Sequence, residues 1–177
     1  MTAWKQFRDG TTGPVVILLT VCVINTFALA AVYQVTEPVI RQGEIAAANK
    51  ARALVLSGAE SFTEITASYP EGVAEVFKAD NGTGYVIRAA GKGYGGPVTF
   101  MVGFYSDGKV AGITMFDHNE TPGLGTKIGA DAYLSKYLGD VDPDSVDVIT
   151  GATISSGALK SALSLAREAF LIAKGGA

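Results

Sequence analysis

Val98-Thr99-Phe100-Met101-Val102-Gly103-Phe104-Tyr105 sets Val98, Phe100, Val102 and Phe104 in alternation with Thr99, Met101 and Gly103. That period of two predicts a β-strand with one face on a core. The dipeptide Asp107-Gly108 follows, and a second apolar run occupies Ile113–Phe116, so the pair reads as a hairpin. Upstream, Val73–Ala79 and Tyr85–Ala90 flank Asn81-Gly82 in the same manner. The glycine-rich turn Gly93-Tyr94-Gly95-Gly96-Pro97 leads into the central strand. An antiparallel sheet is the expected result.

Downstream the period changes. Ala130–Leu138 reads as a short helix, and Val141 to Asp147 as a connection. A long helix over 154–174 would place Ile154, Ala158, Ala162, Ala166, Ala169 and Ala173 on one buried stripe of mostly small residues. Ser156, Lys160, Ser164, Arg167 and Glu168 would lie opposite. Lys174 and Gly175 suit its C-terminal dipole and cap. The fold class is therefore α+β, with an antiparallel sheet packed by helices.

Upstream, no charge occurs between Asp9 and Glu37, and the stretch from Pro14 to Tyr33 is almost wholly apolar. At about 1.5 Å per residue it spans roughly 30 Å, the thickness of a bilayer's hydrocarbon core. A cleaved signal peptide is the competing reading, because Lys5 and Arg8 precede the run and Ala28-Leu29-Ala30 resembles a cleavage site. The run exceeds a usual signal core, which favours an uncleaved anchor. Lys5 and Arg8 on one side are balanced by Arg41, Lys50 and Arg52 on the other, so charge alone does not orient it. Asn25 would either face another membrane helix or bond its own helix backbone. Thr36-Glu37-Pro38 predicts a turn or helix start. Ile45, Ala48, Ala51, Val55 and Leu56 then give a helical stalk that ends near Gly58. The expected division is residues 1–12 as a flank, 13–35 as the span, 36–60 as the stalk and 61–177 as the sheet domain.

The chain has 177 residues, a net charge of −3 and a pI near 5.1, so no basic field recommends a nucleic-acid partner. Its single cysteine, Cys22, lies in the apolar run. This rules out an internal disulfide framework, a Cys-ligated iron–sulfur cluster, a c-type haem motif and a Cys-His zinc site.

Chemistry concentrates in Asp147-Val148-Ile149-Thr150-Gly151-Ala152-Thr153-Ile154-Ser155-Ser156, which opens the last helix. Unpaired N–H groups and the positive end of the helix dipole would hold a phosphate there without Lys or Arg. The plainer reading makes Thr153 or Ser155 a simple N-cap, with no Glu or Gln three residues on to complete a capping box. A second loop, His118-Asn119-Glu120-Thr121-Pro122-Gly123-Leu124-Gly125-Thr126-Lys127, offers backbone for close approach to a ligand and Lys127 for charge. His118 would be a proton donor or, more simply, a hydrogen-bonding loop residue. Tyr94 would stack on a ligand ring or cover the core. No Walker loop, Gly-x-Ser-x-Gly elbow or dinucleotide fingerprint occurs, and Ser155 and Ser156 have no suitably spaced histidine.

Asp-x-x-Thr-Gly-Ala-Thr at Asp147–Thr153 resembles the flavinylation signature of FMN-binding domains in membrane redox complexes. His-x-Glu-Thr-Pro-Gly-Leu-Gly at His118–Gly125 resembles the second signature of that family. With the anchor, nearly the whole chain is similar to the G subunits of Rnf complexes, ion-translocating ferredoxin:NAD oxidoreductases. The C subunits of the sodium-translocating NADH:quinone reductase are siblings that share the domain but are usually longer. The resemblance implies an electron-transfer subunit, redox-active only within its complex, whose FMN is attached covalently to Thr153 as a phosphoester by a flavin transferase that recognises Asp147, Thr150, Gly151, Ala152 and Thr153. It implies flavin contacts from Thr150, Gly151, Ala152, Ser155, Ser156, Glu120, Thr121, Pro122, Gly123, Leu124, Gly125, Lys127 and Tyr94, with no metal. It further implies a cytoplasmic N-terminus, a single pass through the cell (inner) membrane, an FMN domain on the outer side, and the A, B, C, D and E subunits of Rnf as partners. The alternatives are the quinone-reductase subunit and a membrane-anchored assembly or sensory subunit without redox function.

Overall fold

The computed structural model describes residues 12–59 and 61–175. The expected N-terminal flank, with Lys5 and Arg8, lies outside the described residues apart from Thr12, and so does the side chain of Ile45. The chain divides into two units between Ala47 and Ala48.

The described residues of the first unit are helical. Helix α1 runs Thr12–Val55, and within it Gly13–Gln34 is long and apolar enough to cross a membrane. Leu18, Leu19, Val23, Phe27 and Leu29 are all exposed along this stretch. Its polar side chains turn back on the helix and bond carbonyls one turn earlier. Thr20 Oγ1 donates to the Val16 carbonyl at 2.8 Å, Thr26 Oγ1 to Cys22 at 2.8 Å, and Asn25 Nδ2 to Val21 at 2.9 Å. Asn25 thus bonds its own helix backbone, one of its two expected roles. The turn expected at Thr36-Glu37-Pro38 does not form, and α1 continues through it. Proline withdraws one N–H donor but has a φ already suited to a helix, and Thr36 Oγ1 adds bonds to the Val32 and Tyr33 carbonyls at 3.0 and 3.3 Å.

The second unit is a five-stranded antiparallel meander in sequential order: β1 Phe62–Glu64, β2 Val73–Ala79, β3 Gly84–Lys92, β4 Pro97–Tyr105 and β5 Val110–Asp117. Both expected hairpins form. The three-residue β1 was too short to show any alternation. In β4 the expected core face holds: Val98, Phe100, Val102 and Phe104 are buried against Ala158, Leu159, Ala162, Leu163, Ala166, Ala169, Phe170 and Ala173. These come from α3, Thr153–Gly175. Phe170 stacks on Phe104 at 5.2 Å between centroids and meets Tyr85 edge-on at 5.4 Å. A fully buried residue of this kind, such as Leu159, contributes about 1.5–3 kcal/mol.

The other face of β4 is buried too. Met101, Val86 and Ala79 pack against Ala48, Ala51, Val55, Leu56 and Ala59, so the last turns of the expected stalk belong to the domain core. Gly103 and its β5 partner Gly112 make this possible. A side chain on either would run into the Val55 backbone. Arg52 of α1 lies over the Phe77 ring at 3.7 Å and pairs with Glu75 at 3.5 Å, which ties the same turn to β2.

The helix expected over Ala130–Leu138 is shorter. Helix α2 spans Asp131–Leu134 between 3-10 turns at Gly125–Gly129 and Ser135–Tyr137. In α3 two placements differ from expectation: Ile154 is 55% exposed, while Ser156 is fully buried. Both lie in the first turn, ahead of the stretch where α3 packs on the sheet.

Gly103→Ala is expected to lower the stability of the detergent-solubilised chain by about 1–3 kcal/mol, because the added methyl meets backbone that cannot rotate away. Denaturant unfolding measures this, and an unchanged midpoint would contradict the close approach.

Candidate functional site

The first hydrogen bond of α3 runs from Ser156 N to the Ala152 carbonyl at 2.8 Å. By helix geometry the N–H groups of Thr153, Ile154 and Ser155 therefore have no carbonyl one turn back. The turn that delivers the chain to this point has Gly151 at φ +82°, where a side chain would be strained, and Ala152 N donates to the Ile149 carbonyl at 2.9 Å. Neither serine is a free cap. Ser156 Oγ accepts from Ile149 N at 3.1 Å, while Ser155 Oγ donates to Glu120 Oε2 at 2.5 Å.

Glu120 joins three segments. One carboxylate oxygen takes the Ser155 hydroxyl of α3, and the other takes Gly95 N of the β3–β4 turn at 3.1 Å. Its own N–H donates to His118 Nδ1 at 3.3 Å. His118 is thus a hydrogen-bonding loop residue in this structure. Burial pushes the Glu120 carboxyl upward, but the Ser155 hydroxyl, the Gly95 and Tyr94 N–H groups and the field of His118 together outweigh it. The carboxyl titrates below the ordinary glutamate value. A side chain at Gly125 would strike this carboxylate, so the residue there must be small. Beyond it, Thr121 O accepts from Leu124 N at 3.2 Å and from Thr126 N at 3.3 Å, and Gly123 N donates to Thr126 Oγ1 at 3.0 Å. This tight turn carries Leu124 outward.

The segment before α3 is held largely by side chains. Tyr133 Oη donates to the Asp147 carbonyl at 3.1 Å and receives Tyr137 Oη at 3.0 Å, and Lys160 Nζ donates to the Asp144 carbonyl at 3.2 Å. Burial, then the bond to Tyr133, pushes the Tyr137 phenol above its ordinary range.

These elements enclose a cavity of about 480 Å³ lined by Tyr94, Glu120, Thr121, Leu124, Gly125, Gly151, Ala152, Thr153, Ile154 and Ser155. Nine of those ten were expected from sequence. The tenth, Ile154, falls within the expected 150–156 segment, although the helical stripe also placed it on the core face. Thr150, Ser156, Pro122, Gly123, Lys127 and Asp147 lie outside the lining, although Asp147, Thr150 and Lys127 are exposed nearby in sequence. Among the described residues no group of three or more His, Cys, Asp or Glu side chains is placed to hold a metal. Chemically, the cavity offers unpaired N–H groups and a hydroxyl at the mouth of a helix, with apolar walls from Leu124, Ile154 and Tyr94. It can take a ligand with an anionic end and a flat apolar end.

Because the folded Glu120 carboxyl titrates below the unfolded value of about 4.3, its stabilising effect is complete above that pH and is lost as pH falls through the folded value. The margin of wild type over Glu120→Gln in unfolding free energy should narrow from pH 7 toward pH 3. A margin that stays constant would contradict an ionised, hydrogen-bonded carboxylate. Ser155→Ala should cost about 1.5–3 kcal/mol at pH 7, the usual loss for a bond to a charged group.

Residues 93–168 match the family model described as an FMN-binding domain, a span that contains every residue lining the cavity. The chain is 30% identical over 167 residues to the G subunit of the proton-translocating ferredoxin:NAD(+) oxidoreductase complex of Clostridium ljungdahlii, covering 88% of this chain and 89% of that one. It is 28% identical over 183 residues to the G subunit of the Na(+)-translocating ferredoxin:NAD(+) oxidoreductase complex of Acetobacterium woodii, covering 87% and 88%. The crystal structure of the C subunit of Na(+)-translocating NADH-quinone reductase from Parabacteroides distasonis superposes with a TM-score of 0.47 at 24% identity, over 58% of this chain and 61% of that chain. With nearly nine-tenths of the Clostridium protein matched at this identity, the chain belongs to the family of G subunits of ion-translocating ferredoxin:NAD oxidoreductase (Rnf) complexes.

Proposed function

We propose that this chain is an electron-transfer subunit of an Rnf complex and carries FMN covalently through Thr153, in the cavity at the mouth of α3. The observation that carries the reading is the position of Thr153: its exposed side chain lies on the cavity wall at the unpaired first turn of the helix. The cavity volume falls in the range of about 300–1,000 Å³ usual for small-molecule sites. The N–H groups of Thr153, Ile154 and Ser155 would hold the phosphate, whose charge the helix dipole favours. Leu124, Ile154 and Tyr94 would border the ring system. FMN supplies passage of one or two electrons, and the protein supplies position and environment.

Attachment requires FAD as donor and a flavin transferase as catalyst. Thr153 Oγ1 forms a bond to the FMN phosphorus as the bond from that phosphorus to the AMP half of FAD breaks. AMP leaves, and the hydroxyl proton passes to a base of the transferase or to water. No electrons are gained or lost. Asp147, Thr150, Gly151 and Ala152 form the approach to this hydroxyl, and the exposed side chains of Asp147 and Thr150 are open to the transferase.

The same reading places the N-terminus in the cytoplasm, Gly13–Gln34 across the membrane and the sheet domain on the outer side, docked to the other subunits of the complex. A tether is useful on that side, where lost flavin would find little free cofactor to replace it.

Co-expression of the full chain with a flavin transferase, followed by a denaturing gel under ultraviolet light, tests the attachment. Wild type should fluoresce and gain the mass of one FMN residue on the tryptic peptide that contains Thr153. Thr153→Val should be dark, and Thr153→Ser should keep part of the label because it keeps a hydroxyl. A dark wild-type band would sink the proposal. For sidedness, protease added to intact spheroplasts should remove the labelled domain, and protection there with cleavage only in inverted vesicles would reverse the orientation.

A further inference from the structure

Glu120 is the only charged side chain among the buried residues described; the other buried polar residues are Ser155 and Ser156. No ion pair among the described residues includes it. Its carboxylate is held by neutral donors, the Ser155 hydroxyl and the N–H group of Gly95. From α3 it faces Ser155, and from the β3–β4 turn it faces backbone, while the Tyr94 side chain is 74% exposed. His118, on its own loop, is the one titratable group whose field reaches it, and His118 Nδ1 is already engaged as an acceptor. A negative charge is thereby fixed, with no Lys or Arg paired to it among the described residues, in the wall of a cavity whose neighbouring walls include Leu124, Ala152 and Ile154.

We infer that Glu120 sets the redox potential of this site: its carboxylate holds the FMN at a lower midpoint potential than the same cavity would with a neutral side chain. The inference rests on the proposed FMN site. Its sign follows from Coulomb repulsion, because each electron added to the cofactor brings negative charge toward a fixed negative charge in a poorly screened region. The neutral donors keep the carboxylate in place without cancelling its charge. Hydrogen bonds to a cation would have cancelled it.

The test uses the full-length chain co-expressed with a flavin transferase, solubilised and titrated with dithionite beside reference dyes. Glu120→Gln keeps the shape and an oxygen for Gly95 N, and the Ser155 hydroxyl can rotate to accept from the new amide. Its midpoint potential should rise by an amount on the order of a tenfold change in the reduced-to-oxidised ratio, or 59 mV for a one-electron couple. Ser155→Ala keeps the charge and should move the potential less. Equal potentials in flavin-loaded wild type and Glu120→Gln overturn the inference and leave the FMN site intact. An unlabelled wild type would instead remove the site itself.

A second measurement needs no substitution and decides the matter if Glu120→Gln fails to fold or load. The reduced-minus-oxidised infrared spectrum of wild type grown on 13C-glutamate should contain carboxylate bands that shift with the label, because a carboxylate in the cavity wall feels the added charge. A spectrum with no glutamate-derived band overturns the inference.

Discussion

The carboxylate of Glu120 is the junction on which the site depends. It receives the hydroxyl of Ser155 from the last helix and the N–H of Gly95 from the turn between the third and fourth strands, while its own N–H fixes His118. Remove the side chain and the segments that carry Ser155 and Gly95, distant in sequence from Glu120, lose their common partner. A buried carboxylate is costly unless hydrogen-bonded. The same cost makes the junction specific, because few other arrangements of these segments would satisfy both oxygens.

The sheet beneath that junction is covered on both faces. Helix α3 lays alanines and Phe170 over Val98, Phe100, Val102 and Phe104, and the final turns of α1 cover Met101 and Val86 from the other side. Glycines at 103 and 112 bring the Val55 backbone almost onto the sheet. The β3–β4 turn leaves this sheet between two of its paired strands, and its Gly95 N–H bonds Glu120. The site is therefore built on rigid elements at its base and on hydrogen-bonded loops at its rim.

Much of this was legible in the chain. The Val98–Tyr105 alternation, the Asn-Gly and Asp-Gly turns and the hydroxyl-rich opening of the last helix each carry a local physical signal, and each predicted the right element. What failed had non-local causes. Met101 and Gly103 look like the polar face of a strand until a second helix covers them, and nothing within the strand announces that helix. Ile154 and Ser156 exchange their expected environments for non-local reasons: Ile154 borders a cavity where the stripe predicts a neighbour, and the Ser156 hydroxyl is buried under the preceding turn, where it takes the Ile149 N–H. The motifs named Glu120 as a cavity residue. Its pairing with Ser155, 35 positions away, depends on the fold.

The proposed tether and the buried carboxylate bear on each other. A helix N-terminus attracts phosphate, yet here a carboxylate already sits against residue 155 of the same first turn. Glu120 takes its bond from the Ser155 side chain, so the backbone N–H groups stay available, but its charge still opposes a second anion nearby. Two unit charges 4–8 Å apart in a protein environment repel by roughly 2–4 kcal/mol, a loss of about thirty- to a thousandfold in affinity for a freely exchanging ligand. A covalent bond removes that loss from the occupancy of the site, since a tethered phosphate has nowhere to go. On this reading the threonine ester lets the protein keep a negative charge beside its flavin, an arrangement that reversible binding of an anionic cofactor would select against.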